Sequence, residues 1–353
     1  MDRTDGRRRI APYWVSPISE KATSAEATDR AEAGDAEAAT AETVIAAGAR
    51  PSLRAELREI WEHRGLMRQF IARDIKVRYK QTVLGVVWIV LQPLLSAGLL
   101  AMVRLAMAAR VGGLEAFDMV IFFMAGFVPW ISFSAAVNSA TVSLSGAAGL
   151  VKKVYFPRAI VPLTQAVTPT VDFLACFALL LLLAGVGDLV RSGAPPAATP
   201  QVEVVSAEPL QEAAIPTEPA RPRLLRPAIL LAVAPLYALQ LIAAIGLALI
   251  LAPLNARYRD VRYLVAFFLQ LGMFATVLIG LEEWSGHGPW MNAAGLLLTL
   301  SPMTAVIDSM RAVVLGRALD WALLAQGTAI ALGLLAMGVW VFRRNEPDLV
   351  DVL

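Results

Sequence analysis

A single cysteine, Cys176, leaves no intrachain disulfide possible, and its place inside an apolar run leaves the redox compartment unread. Histidine is almost as scarce: His63 and His287 lie too far apart in sequence to suggest shared ligation, so no metal site is expected. Nowhere does the chain carry a Gly-x-x-x-x-Gly-Lys-Ser/Thr phosphate loop, which excludes that route to nucleotide hydrolysis. Met1 to Arg50 has no apolar core, so no secretory signal is expected there. The net charge is only +2, and its distribution matters more than its sum. Apolar side chains, by contrast, are in excess at 57% of residues, with a mean hydropathy of +0.61, against roughly 45–50% apolar for an ordinary soluble domain. Too little polar surface remains to cover a water-soluble globule. The expectation is an all-α integral membrane protein.

Residues 1–50 are rich in Ala, Glu, Asp and Thr and cannot bury enough apolar area to offset their ordering entropy, which predicts a disordered tail on the cytoplasmic side. Over 51–82, Leu53, Leu57, Ile60, Trp61, Met67, Phe70, Ile71 and Ile75 recur at helical spacing. Arg54, Arg58, Arg64, Arg68, Arg73, Lys76, Arg78 and Lys80 occupy the polar side. That pattern predicts an amphipathic helix lying on an anionic membrane surface; a soluble helix packed on a partner is the alternative. The body of the chain, 83–353, contains six stretches long enough to span a hydrocarbon core, which needs ~20 apolar residues. They are Leu84–Val103, Met119–Ser145, Ala159–Val186, Ala228–Leu254, Tyr263–Leu281 and Trp321–Phe342. A further apolar stretch, Met291–Leu315, is interrupted at Ser301-Pro302 and carries Asp308 and Arg311. Charges are costly at mid-bilayer, so it reads as short re-entrant helices before the last span, with these two residues pairing or reaching the headgroups.

The cationic residues set an orientation. With both termini cytoplasmic, six crossings keep four basic groups inside: the interfacial segment; Lys152, Lys153 and Arg158; Arg257, Arg259 and Arg262; and Arg343 with Arg344. Arg221, Arg223 and Arg226 fall outside, in the Pro-rich loop 187–227, a stiff linker. The basic run before Leu84 is thus a topological anchor. Gln92-Pro93 within the first span, and Pro129, Pro162, Pro169, Pro235 and Pro253 elsewhere, predict kinked helices whose freed carbonyls need other partners.

Five strings occur in one order: RDIKVRYKQTVLGVVWIVLQPLL, AGFVPWISFSAAVNSA, GLVKKVYFPRAIVPL, LNARYRDVRYLVAFFLQL and LSPMTAVIDSMRAVVLG. From about Leu53 to Phe342 they resemble the permease subunits of ABC transporters that export lipid-linked polysaccharide, of the O-antigen, capsule or teichoic-acid type. The resemblance implies a homodimer in the bacterial inner membrane around a glycan channel, itself not an enzyme and binding no cofactor. ATP and Mg would sit on a separate nucleotide-binding subunit. It implies that Gly149, Leu150, Val151, Lys152, Lys153, Val154, Tyr155, Phe156, Pro157 and Arg158 form the helix that couples to that ATPase. In it Tyr155 and Phe156 suit compact anchors and Pro157 a sharp stop; a mere loop with anchoring charge is the alternative. Arg257, Tyr258, Arg259 and Asp260 would buttress the same contact, or be a simple loop.

Because sugars stack on aromatic faces, Trp88, Phe127, Trp130, Phe133, Tyr237 and Phe274 are candidates for the channel lining, although aromatics in spans also face lipid. Trp284 to Leu315 would cap the exit. Asp172, an acid within the third predicted span, is either functional or held by a hydrogen bond across a helix interface, to Thr170 or another span's Gln. The long tail, the expanded loop and Ser301-Pro302 in place of Asn-Pro depart from the family and leave the cargo open. A related permease for a small lipid or drug is the alternative. A membrane-embedded glycan-modifying enzyme would need clustered polar groups where only Glu282, Glu283 and His287 are scattered. A non-transporting scaffold would not need the docking segment.

Overall fold

The computed structural model describes residues 52–80, 85–107, 113–151, 156–192, 227–278, 295–347 and 349. The predicted tail over 1–50 and most of the predicted 187–227 loop lie outside the described residues. The chain parts into two units, Met1–Arg58 and Glu59–Leu353; of the first, only 52–58 are described.

All regular structure among the described residues is helical. The predicted interfacial helix is two helices, α1 (Leu53–Glu62) and α2 (Arg64–Lys80), separated at His63, whose Nδ1 lies 2.8 Å from the Glu59 carbonyl oxygen. There follow α3 (Gly85–Met107), α4 (Gly113–Thr141), two single turns α5 (Ser143–Gly146) and α6 (Ala148–Val151), α7 (Ile160–Val167), α8 (Thr170–Ser192), α9 (Pro227–Arg257) and α10 (Val261–Met273). The last of these continues as a π-helical turn, Phe274–Leu278, and α11 (Pro302–Leu315) and α12 (Trp321–Asn345) complete the order. Among the described residues, six segments are long and apolar enough to cross a membrane: Val87–Ala106, Phe117–Thr141, Ile160–Val190, Leu231–Arg257, Val261–Leu278 and Trp321–Asn345. Each matches a predicted span. The protein is a multi-pass membrane protein. With 14 residues, about 21 Å at 1.5 Å per residue, α11 is too short to cross. Ser301-Pro302 starts it and Gly316, at φ 72°, ends it in the left-handed conformation that glycine adopts without strain.

The prolines play different parts. Pro93, Pro129, Pro235 and Pro253 lie inside helices, whereas Pro162 falls in the first turn of α7, where no N–H partner is needed. Pro169 sits in the turn that divides the third predicted span into α7 and α8. Pro93 deprives the Ile89 carbonyl of its helical partner. The Cys176 thiol on α8 donates to that oxygen at 3.4 Å, tying the third span to the first. The only cysteine therefore answers the proline.

The second span is the core of the bundle, 72% buried along its apolar window against 17% for the first and fifth. The fourth and sixth spans meet backbone to backbone. A β-carbon on Gly338 would lie 2.3 Å from the Gly246 carbonyl oxygen, and one on Gly246 would lie 2.7 Å from the Leu334 carbonyl carbon. Small residues allow such approach where lipid gives helices no hydrophobic reason to associate. Gly187 also reads differently from the expected loop start: α8 runs on to Ser192, and a β-carbon on Gly187 would strike the Phe117 ring at 2.8 Å.

Candidate functional site

At the end of the bundle where α4 finishes, the chain makes short turns instead of long helices. α5 and α6 lead to Val151, and the described chain resumes at Phe156. Of the predicted coupling residues, Lys152, Lys153, Val154 and Tyr155 lie outside the described residues, and the Val151 side chain is not described. Gly149 is exposed and Leu150 half-buried. Phe156 and Pro157 are buried, and this corrects the expectation that Phe156 is an outward anchor. Its ring meets Phe70 of α2 edge to face, with centroids 6.1 Å apart. Around the pair pack Leu144, Ile160, Leu249, Phe342 and Leu349. Burying a phenylalanine side chain is worth about 1.5–3 kcal/mol, so Phe156 holds the segment to the body. Arg158 adds a second fastening, donating to the Glu346 carbonyl just past α12. A cleft of about 480 Å³ opens beside this segment, lined among others by Phe70, Arg73, Ser143, Gly149 and Gln165.

The half-buried side of α2 carries Leu66, Met67, Phe70, Ile71, Asp74, Ile75, Arg78 and Tyr79, one helical stripe. The hydrophobic pattern missed its last turns, because there the stripe turns polar. Arg78, expected on the outer polar face, points inward to Asp172 at 2.5 Å, and the Tyr79 hydroxyl donates to the other carboxylate oxygen. One turn earlier, Gln165 of α7 donates to Asp74. Asp172 thus sits in the first turn of α8, within reach of α2. Thr170, the expected partner, instead accepts from the Tyr237 hydroxyl at 2.7 Å. Of the two readings of Asp172, the hydrogen bond across a helix interface is present, but with α2. Burial first, and then the bond to Asp172, pushes the Tyr79 hydroxyl above its ordinary range. Tyr79 therefore stays a neutral donor. Because the raised group is favoured protonated, its contribution is complete below the ordinary tyrosine value of about 10. It is lost only as pH rises through the raised value. Absorbance titration of the purified protein should find the Tyr79 signal missing from the tyrosinate rise near pH 10 and present after Asp172→Ala.

The aromatic candidates divide. Phe127, Trp130 and Phe133 are buried in the helix core, which corrects their assignment to a channel wall. Trp130 wedges onto the fifth span at Gly272, where a β-carbon would lie 2.7 Å from the indole. Tyr237 stacks on Phe173 with centroids 4.2 Å apart and is half-buried. Only Trp88 and Phe274 are exposed, on the first and fifth spans. Arg257, Tyr258, Arg259 and Asp260 are all exposed, with the Arg257 guanidinium 5.7 Å from the Tyr258 ring centre. Glu282, Glu283, His287 and 279–294 as a whole lie outside the described residues. Arg311 is buried and bonds to the Val277 carbonyl oxygen at 2.7 Å; the expectation that it reaches the headgroups is corrected.

Among the described residues, six segments able to cross a membrane form a bundle with a knitted cluster at one end, where α2 is bolted to α8 by an ion pair. No protein-family model matches the chain. Curated relatives do. An O-antigen export system permease protein, RfbA, of Myxococcus xanthus is 28% identical over 258 residues, 73% of this chain and 83% of the relative. A protein of the same name from Klebsiella pneumoniae is 22% identical over 283 residues, 80% of this chain and 92% of its own. A further one from Klebsiella pneumoniae is 30% identical over 103 residues, 29% of this chain and 38% of that relative.

The chain resembles O-antigen export permeases over most of its length.

The match runs through nearly the whole length of two relatives, so it concerns the membrane body and not one helix.

Proposed function

We propose that this permease moves a lipid-linked polysaccharide, of the O-antigen, capsule or teichoic-acid type, across the bacterial inner membrane with both termini in the cytoplasm. Power comes from ATP and Mg on a separate nucleotide-binding subunit, and the permease works with a second copy of itself. The observation that carries this reading is the similarity to O-antigen export permeases over 83% and 92% of their lengths. The ATPase docks on Gly149–Arg158, with Arg257–Asp260 beside it. Four residues of that segment give the partner its grip: Lys152, Lys153, Val154 and Tyr155. Phe156 and Arg158 pass the push inward, to α2 and to the end of α12. From α2 it reaches the third span through Arg78, Tyr79 and Asp172. Trp88 and Phe274, exposed on the two least buried spans, are the aromatics placed to meet glycan.

Co-purification tests the partnership: the permease should bring down a nucleotide-binding protein whose hydrolysis rises on adding undecaprenyl-linked glycan. Tyr155→Ala with Lys152→Ala and Lys153→Ala should weaken that capture about tenfold, equivalent to ~1.4 kcal/mol, while the amount of folded permease stays unchanged. Phe156→Ala, in contrast, should lower the amount of folded permease. Hydrolysis that ignores glycan and responds to a small lipid or drug would overturn the choice of cargo.

A further inference from the structure

The π-helical turn Phe274–Leu278 interrupts the fifth span on a face where Thr276 and Val277 are buried. A π turn inserts one residue into a helix, is rare, and is frequently found at functional sites. Here it is held by a cation. Arg311 of α11, only 5% exposed, donates from Nη2 to the Val277 carbonyl oxygen at 2.7 Å. Its guanidinium carbon lies 4.0 Å from the centre of the Phe122 ring on α4, a cation–π contact in surroundings that strengthen it. Gly126, one turn along α4, makes the room: a β-carbon there would be 2.9 Å from Arg311 Nη2 and 3.1 Å from Val277 Cγ1. On the preceding turn, Thr276 Oγ1 donates to the Gly272 carbonyl at 2.7 Å, and Trp130 lies against Gly272. Three elements, α4, α11 and the π turn, thus meet at one guanidinium. A buried cation among spans is costly, and points to function.

We propose that Arg311 is a positioning residue for transport: it holds the π turn in register, so that Leu278 and α11 keep one relative position. When the guanidinium leaves the Val277 carbonyl, the turn relaxes to ordinary helix. Taking up the one-residue excess turns Leu278 by about 100° relative to the residues before the turn, one residue's share of a helical turn. Residues before the turn stay where they are. The transport consequence rests on the export reading above; the change in the turn does not.

The experiment uses the full-length permease co-expressed with its nucleotide-binding subunit, in a Cys176→Ser background that keeps a donor for Ile89. Nitroxide labels at Leu278→Cys, the end of the turn, and at the exposed Leu271→Cys, before it, report accessibility on either side of its start. With Arg311→Met, and more weakly with Arg311→Lys and Gly126→Ala, the 278 label should change its exposure to oxygen and to a water-soluble nickel chelate. The 271 label should not. Polysaccharide export per assembled complex should fall about tenfold in Arg311→Met, the scale of mutations along a coupling network. A merely structural arginine would lower the amount of complex and leave both labels alike. Labels unmoved in every variant overturn the proposal, as does unchanged export per complex in Arg311→Met. If Arg311→Met does not assemble, Arg311→Lys and Gly126→Ala decide by the same two labels. If the parent complex exports no polysaccharide, the export reading fails while the labels still judge the turn.

Discussion

Replacing Asp172 with alanine should release α2 from the third span and lower both the stability of the assembled permease and its export. The substitution removes one carboxylate that serves two donors, the Arg78 guanidinium and the Tyr79 hydroxyl. Breaking a buried ion pair from one side costs about 3–5 kcal/mol, because the other charge is left without a partner. Arg78 keeps 34% side-chain exposure while Asp172 has 11%, so the stranded arginine reaches some water and the loss should be nearer ~2 kcal/mol. Removing both charges tests this account. Asp172→Leu combined with Arg78→Met leaves no stranded cation, and it should be closer to the parent in thermal unfolding than Asp172→Ala alone. Export separates latch from strut: if the double variant folds as well as the parent yet exports poorly, the pair transmits motion. If Asp172→Ala behaves as the parent in both assays, the latch assignment is wrong.

Gly338→Val should be still more damaging, and in a different way. Here the obstacle is not a side chain that can swing aside but the Gly246 backbone, 2.3 Å from where the new β-carbon must go. Overpacking a well-packed site usually costs about 1–3 kcal/mol; with backbone on the other side, the cost should reach or exceed the top of that range. The fourth and sixth spans would be forced apart, and the short turns they anchor through Leu249 and Phe342 would loosen with them. Yield of folded permease in detergent should therefore collapse. Gly333→Val is the control, because nothing lies within 4 Å of a β-carbon there. Equal yields from the two variants would refute the close crossing.

The spans were legible because a bilayer demands long apolar stretches, whatever their neighbours; each of the six predicted stretches has its counterpart. The same demand betrayed α11, whose Ser-Pro interruption and two charges were enough to exclude a crossing. Individual side chains were far less legible. Arg78 was assigned to the outer face because helical periodicity sorts residues by polarity, and an inward cation breaks that rule wherever a carboxylate waits for it. An aromatic beside lysines resembles a docking anchor, and only the position of Phe70 on another helix shows Phe156 turned inward. Trp130 suited a sugar-stacking wall until Gly272 was seen to be its socket. Cys176 carried no signal at all, since its role lies in the carbonyl that Pro93 leaves free on a different span.

By itself, then, the sequence determined which stretches are long and apolar enough to cross a membrane and where prolines fall inside them, because these follow from local composition and backbone chemistry. Tertiary structure alone decided which cation meets Asp172, which aromatics are core, where two glycines bring backbones into contact, and that a π turn closes around Arg311. Those are matters of distance between residues far apart in the chain. Local composition sets only which contacts are affordable in lipid, and packing selects the ones that form.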